Sequence, residues 1–328
     1  MSAFGATVAL GATASAHALA ALSTQWSVAV FAAASFARTA DVGRATAALV
    51  TPRSVTLPPQ LVALTRRGGA VSFELFRRRY EWDASESCFR KVAFGTKDTF
   101  ASYLAARGHS AASAALALQS YGTNSCAMPA PQFWPLLRQQ MLAPFFCFQV
   151  FCVALWCLDE YWQYSLLTLA MLVFFEATIV TTRIKTLNDL RRLGAPLQPL
   201  LALRDGRWAR LPPEELLPGD VVSVCRPSGA AAEAQVVPAD LLLLQGSAIA
   251  TEAALTGEST PVWKTPASDA PPGEALRLKE HGKASMLYSG TKVVQVTAPA
   301  AGGLRPPDGG APALVLRTGF DSKQVCWF

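Results

Sequence analysis

The chain has 328 residues, 51% of them hydrophobic and only 16% charged, so it is long enough for two or three domains and apolar for a protein held in water. Its net charge of +6 comes from small basic groups at Arg66-Arg67, Arg77-Arg78-Arg79 and between Arg183 and Arg192; with no nucleic-acid module signature, these point to membrane flanks and exclude nucleic acid as the expected partner. The seven cysteines form no CxxC pair and no Cys/His ligand spacing, so no metal site is expected.

Residues 1–37 contain no Lys, Arg, Asp or Glu and are rich in Ala, Gly, Ser and Thr, which leaves their membrane affinity weak. They lack the basic start of a signal peptide and form a first, apolar segment. From 38 to 130 the pattern predicts a β-rich domain. Leu61 to Thr65 and Val71 to Leu75 flank Arg66-Arg67-Gly68-Gly69, a loop of hairpin length, and Val71, Phe73 and Leu75 alternate with polar residues to give one buried face. The run Arg77 to Arg79 reads as a solvated charged face. Residues 98–120 read as Ala-rich helix.

A transmembrane hairpin is predicted over 131–182, with spans at about 141–158 and 165–182. No charge interrupts 139–158, and Asp159-Glu160-Tyr161-Trp162-Gln163-Tyr164 has the acidic and aromatic composition of a tight interfacial turn. Arg138 precedes the first span; Arg183, Lys185, Arg191 and Arg192 follow the second, so both outer ends are expected on the cytoplasmic side. Cys147, Cys152 and Cys157 are spaced by five around a helix and read as packing residues. Glu176 lies inside the second run, where an ionisable group is costly; it is a candidate to brace a neighbouring helix or to contact cargo, with the brace favoured.

Residues 183–328 complete the chain. Leu187 to Leu193 continues as a polar helix that should stop at Gly194 and Pro196. From Pro199, short β-like runs alternate with Pro/Gly turns, the pattern of a distorted jelly roll, interrupted by insertions at 228–234 and 298–312. Within this region lie Leu217-Pro218-Gly219-Asp220, Val237-Pro238-Ala239-Asp240, Thr256-Gly257-Glu258-Ser259 and Ser289-Gly290-Thr291. Gly257 can take backbone dihedrals closed to other residues. A Glu on such a turn can orient a water and take its proton while that water attacks an acyl phosphate.

That ordered set of motifs resembles the actuator domain of P-type ATPases. The stretches Ala143-Pro144-Phe145-Phe146, Leu155-Trp156-Cys157-Leu158-Asp159-Glu160-Tyr161-Trp162, Phe175-Glu176-Ala177 and Arg191-Arg192-Leu193-Gly194 resemble the first core hairpin of the type V-A members, the endoplasmic-reticulum transmembrane-helix dislocases. The resemblance implies a multi-pass ER protein of membrane α + β class: β-rich N-terminal domain, transmembrane helical hairpin and jelly-roll actuator domain facing the cytoplasm. It makes 1–37 a remnant of an extra N-terminal membrane helix. It gives Glu258 the positioning of water in dephosphorylation of an aspartyl-phosphate, with Thr256, Gly257 and Ser259 shaping the loop.

The implied partners are the lipid bilayer, a transmembrane-helix cargo and a phosphorylation domain in cis. ATP and Mg²⁺ belong to the full-length enzyme, and the chain, which has no Asp-Lys-Thr-Gly motif, is expected to be its N-terminal part, inactive alone and binding neither. The alternatives are a non-catalytic membrane-anchored binding or regulatory module, a type V-B polyamine exporter or a cation pump.

Overall fold

In the computed structural model of the chain, the residues described are 3–52, 57–67, 69–125, 130–157, 162–192, 197–226, 234–278, 280–299 and 303–323. The expected acidic turn at Asp159 to Tyr161, the helix stop at Gly194 and Pro196, most of the 228–234 insertion and the terminal Val325 to Phe328 lie outside them. Two compact units form: residues 1–73 with 127–194, and residues 74–126 with 195–328. The expected segments end at 37, 130 and 182, whereas the compact units divide after residues 73, 126 and 194.

The first unit opens with α1 (Ala3–Trp26) and α2 (Val28–Ser35). Ser27 separates them in extended conformation, its hydroxyl capping Val30 N–H, and the two axes are bent by 114°. Strand β1 (Ala47–Val50) then pairs antiparallel with β2 (Gln60–Ala63), Leu49 opposite Leu61. Strand β3 (Thr65–Arg67) turns back onto β4 (Ala70–Leu75), with Arg66 opposite Val71. The hairpin expected here is therefore shorter than the sequence suggested. Leu61 and Val62 pair backwards with β1, and Arg66 and Arg67 are strand residues rather than loop.

The chain enters the second unit through the hairpin β5 (Arg78–Asp83) and β6 (Cys88–Lys91), where Trp82 and Phe89 sit opposite with ring centroids 5.0 Å apart. Of the arginines before and on β5, Arg77 is exposed, as expected of a solvated face, whereas Arg78 and Arg79 are half-buried. Arg78 Nε and Nη2 donate to the Phe320 carbonyl at 3.1 and 2.8 Å, Arg77 lies over the Phe320 ring, and Arg79 donates to the Gln119 carbonyl.

The Ala-rich stretch is two helices, α3 (Phe100–Leu104) and α4 (Ala111–Tyr121). Between them Gly108 takes a φ of +72°, and a Cβ there would meet the Leu203 carbonyl oxygen at 1.9 Å, so only glycine fits the approach. His109 Nε2 lies 2.9 Å from the Pro218 carbonyl. Ser110 restarts the helix through a capping box with Ser113.

Back in the first unit come α5 (Phe133–Met141), α6 (Pro144–Trp156) and α7 (Trp162–Arg192). The span expected over 141–158 is divided: α6 has 13 residues, and α5 and α6 are bent by 65°. Pro144 has no N–H to give, and it holds Ala143 extended at ψ 142°. The break exposes the Leu142 carbonyl, which accepts the Trp26 indole N–H at 2.7 Å. Helix α7 runs 31 residues, about 46 Å at 1.5 Å per residue, and carries the apolar run without interruption into the basic segment. Among the described residues it is the one single helix long and apolar enough to cross a membrane; each of the bent pairs α1–α2 and α5–α6 would qualify as one further span.

The rest of the second unit is sheet-rich. Strands β7 (Leu200–Arg204), β8 (Arg207–Leu211), β9 (Val221–Val224), β10 (Gln235–Val236), β11 (Asp240–Leu243) and β12 (Ser247–Thr251) lead to the single turn α8 (Ala253–Thr256). After it come β13 (Val262–Lys264), β14 (Met286–Leu287), β15 (Lys292–Thr297) and β16 (Ala311–Arg317). A six-stranded sheet has the order β14-β11-β16-β9-β7-β8 and a four-stranded sheet the order β10-β15-β12-β13.

The inner strands β9, β11 and β16 of the larger sheet are buried on both faces, which is why they read as largely apolar runs, whereas the edge strand β8 stays mostly exposed. Leu241, Leu243, Val222, Ala313 and Val315 pack with Ala248, Ala250 and Val293 of the smaller sheet. Leu242, Leu244, Val221, Leu314 and Leu316 on the opposite face pack with Phe100 and Tyr103 of α3.

Candidate functional site

Three of the four motifs hold the fold together. Asp220, fully buried, accepts from Arg204 Nε and Nη2 at 3.0 and 2.7 Å and from Leu217 N–H at 2.9 Å. Asp240, 1% exposed, accepts Ser289 N–H on Oδ1 at 3.0 Å and Lys323 N–H on Oδ2 at 2.9 Å, so the second and fourth motifs interlock. Burial raises the Asp240 pKa above the ordinary carboxylate value, and those two N–H groups oppose the rise. Thr291 closes the fourth motif on itself, its hydroxyl donating to the Tyr288 carbonyl at 2.7 Å. Asn124, outside the four motifs, is buried; its amide donates to the Pro213 and Pro238 carbonyls and its carbonyl accepts Gly319 N–H.

The remaining motif stands at the tip of a loop. Antiparallel β12 and β13 pair Ala248 with Lys264, Ile249 with Trp263 and Ala250 with Val262, forming a base from which residues 252–261 project. Helix α8 supplies one turn. Leu255 N–H and Thr256 N–H donate to the Glu252 carbonyl at 2.9 and 3.0 Å, and the Thr256 hydroxyl donates to the same oxygen at 3.1 Å.

Gly257 ends the turn in the left-handed region at φ 77°, and its N–H donates to the Ala253 carbonyl. Glu258 N–H then donates to Thr256 Oγ1 at 3.2 Å. Thr256, Gly257, Glu258 and Ser259 are all exposed, and a Cβ built on Gly257 would meet no atom within 4 Å, so the space beside the turn is open. Thus the structure brings the four predicted loop residues together. Among the described residues, no ion pair or side-chain hydrogen bond ties down the Glu258 carboxylate.

Beneath the loop lies a pair that no local motif marks. Glu252 and Lys264 have side chains 5% and 1% exposed, with Oε1 and Nζ 2.6 Å apart. The contact is ionic, without hydrogen-bond geometry at Oε1. Lys264 Nζ also donates to the Lys283 carbonyl at 3.3 Å and lies 5.6 Å from the Tyr288 ring centroid. Burial, with the Glu252 and Asp240 charges adding to it, pushes the Tyr288 phenol up to about 12, so it stays neutral.

Other candidates carry less chemistry. Burial beside Asp308 pushes the Cys225 thiol up to about 11, which leaves it a poor nucleophile at neutral pH. Among the described residues no three His, Cys, Asp or Glu side chains cluster as metal ligands. A cavity of about 750 Å³ is lined by Trp26, Trp134, Arg138 and Pro144, and one of about 300 Å³ by Arg107, Gln245 and Leu304; neither includes a residue of the 252–261 loop. Glu176, predicted from its position in the second span, lies on α7, and its Oε2 is buried without a hydrogen-bond partner among the described residues.

Comparison with known proteins fits this geometry. Residues 198–324 match the P-type ATPase actuator domain, and the chain belongs among the P-type ATPases. Over nearly its whole length it is similar to proteins named endoplasmic reticulum transmembrane helix translocase, which places it with the type V-A group: 37% identity over 96% of the chain with that of Saccharomyces cerevisiae, and 34% over 94% with that of Schizosaccharomyces pombe. A probable manganese-transporting ATPase of Arabidopsis thaliana is 41% identical over 97% of the chain. The chain spans about a quarter of the length of these relatives, 28% of the plant protein and 26% of each yeast protein.

Proposed function

We propose that this chain is the actuator and membrane-hairpin portion of an ATP-driven transporter that removes mis-inserted transmembrane helices from the ER membrane. The observation that carries the reading is the exposed Glu258 on a short hydrogen-bonded turn above a packed double sheet, in a chain similar over 94% or more of its length to proteins named for helix translocation. The two packed antiparallel sheets support assignment of the actuator as a distorted jelly roll.

In this reading another domain of the full-length enzyme carries an aspartyl-phosphate formed from ATP with Mg²⁺. Glu258 orients a water and accepts its proton as the water oxygen bonds to phosphorus and the bond to the aspartyl oxygen breaks. Thr256 and Gly257 fix the turn, and Ser259 leads out of it. The helix α7, continuous from the apolar run into the actuator's approach, would couple rotation of the domain to the spans. Glu176 would meet a group from a neighbouring helix, since a buried carboxylate oxygen without a partner is costly in the membrane. Nucleotide and Mg²⁺ are assigned to the rest of the enzyme rather than to this portion.

Two experiments test this reading. Full-length enzyme in proteoliposomes should extract a single-span helix inserted in the wrong orientation, in an ATP-dependent manner. Manganese uptake with manganese-stimulated ATP hydrolysis, and no helix extraction, would replace the reading with cation transport. For topology, a glycosylation acceptor inserted with spacers in the 159–163 segment should be modified in microsomes, while acceptors after Arg192 stay unmodified. The reverse labelling would rule out a cytoplasmic actuator.

A further inference from the structure

We infer that Glu252 and Lys264 are positioning residues for Glu258, forming a buried ionic strut that closes the base of the loop and fixes the aim of its tip. The inference rests on the proposed role of Glu258 in hydrolysis and adds the device that holds it.

The two residues stand at the two feet of the loop. Glu252 follows the last residue of β12, and Lys264 ends β13; both side chains are buried, while residues 253–263 between them are exposed or half-buried. From the pair, an unbroken set of contacts leads to Glu258. Lys264 Nζ, steadied by the Lys283 carbonyl, holds the Glu252 carboxylate at 2.6 Å. The carbonyl of that same Glu252 accepts from Leu255 N–H, Thr256 N–H and the Thr256 hydroxyl, which together make the turn of α8. Thr256 Oγ1, oriented by its donation to that carbonyl, accepts the N–H of Glu258. Leu255 is half-buried against the core and shares in seating α8, while Thr256 to Ser259 are exposed, so the aim of the tip is set from its base.

The chemistry of the pair suits positioning better than stability. Two apolar side chains of similar size would fill the same buried space at equal or lower cost, because each charge must be stripped of water. An ion pair adds direction: Glu252 is drawn to one point beneath the loop, and its backbone carbonyl with it. Displacing a catalytic group by about 1 Å can cost about a hundredfold in rate.

The test uses full-length enzyme, phosphorylated with labelled ATP and then chased. Glu252→Gln removes one charge, and the double variant Glu252→Gln/Lys264→Met removes both without leaving a buried ion unpaired. The double variant should reach wild-type phosphoenzyme levels, which also shows that it folds, and its phosphoenzyme should decay roughly 10- to 100-fold more slowly. Adding Glu258→Gln to the double variant should then slow decay little beyond Glu258→Gln alone, because both changes disable the same group. Multiplying effects would show that the pair acts apart from Glu258 and would overturn the inference. So would wild-type decay in the double variant when Glu258→Gln is slow. Normal decay in Glu258→Gln itself would instead remove the role of Glu258 on which the inference stands.

Discussion

Glu258→Gln in the full-length enzyme is expected to leave phosphorylation by ATP intact and to slow decay of the phosphoenzyme by about a hundred- to ten-thousand-fold, the usual worth of general-base assistance. The substitution is conservative where it stands. Glu258 is exposed, and the contact that places it is made by its backbone N–H to Thr256 Oγ1, which a glutamine keeps. The carboxamide can still hold a water through its oxygen but cannot take the proton.

No change in folding is expected, since the double sheet beneath the loop gains nothing from the carboxylate. The effect should therefore appear in one step only, as accumulated phosphoenzyme with an unaltered rate of formation. Equal slowing of both steps would mean that the loop acts on domain movement rather than on the water. Gly257→Ala should give a partial version of the same defect, because the residue sits at φ 77° with open space around it, so the strain is in the backbone and not in a clash.

The loop was legible in the sequence because its chemistry is local: the residues that shape it lie within a few positions of one another. The central strands were legible for a related reason. Leu241 to Leu244 is apolar at every position, and its shortness together with the flanking Pro238 and Gly246 marks a strand covered on both faces rather than a buried helix.

What could not be read was pairing at a distance. Nothing in the positions of Arg77 and Arg78 announces that they grip Phe320, and nothing marks Asn124 as the tie between Pro213, Pro238 and Gly319. Glu252 and Lys264 stand twelve positions apart with nothing local to pair them, and such residues are usually exposed. The break at Pro144 was different, since the signal was present. Proline ends the preceding helical run, but the absence of any charge over 139–158 masked it, and composition alone does not report where a backbone bends.

Asp220 presents the reverse case, an acidic residue in a motif whose expected effect on mutation is thermodynamic. Asp220→Ala should destabilise the second unit by about 3 kcal/mol, the lower part of the range for breaking a buried ion pair, because Arg204 retains 20% exposure and some solvation. The loss has three parts. Arg204 Nε and Nη2 lose their two bonds to the carboxylate, and the guanidinium keeps only the Glu215 carbonyl at 2.8 Å among the contacts here. Leu217 N–H, buried, loses its acceptor. A guanidinium stays protonated at any working pH even without its partner, so the charge cannot be shed to relieve the site.

Against a total stability of about 5–15 kcal/mol for a domain, this is a large fraction. It should show as a lowered urea midpoint and as faster hydrogen exchange at Leu203 and Val222, on the paired strands β7 and β9. Asp220→Asn should lose less, because its carbonyl can still accept from Leu217 N–H or Arg204. The double variant Arg204→Met/Asp220→Leu should recover most of the stability, since it leaves no buried charge unpaired. A double variant no more stable than Asp220→Ala would show that the carboxylate's bond to the Leu217 turn, rather than its pairing with Arg204, is what shapes this end of the domain.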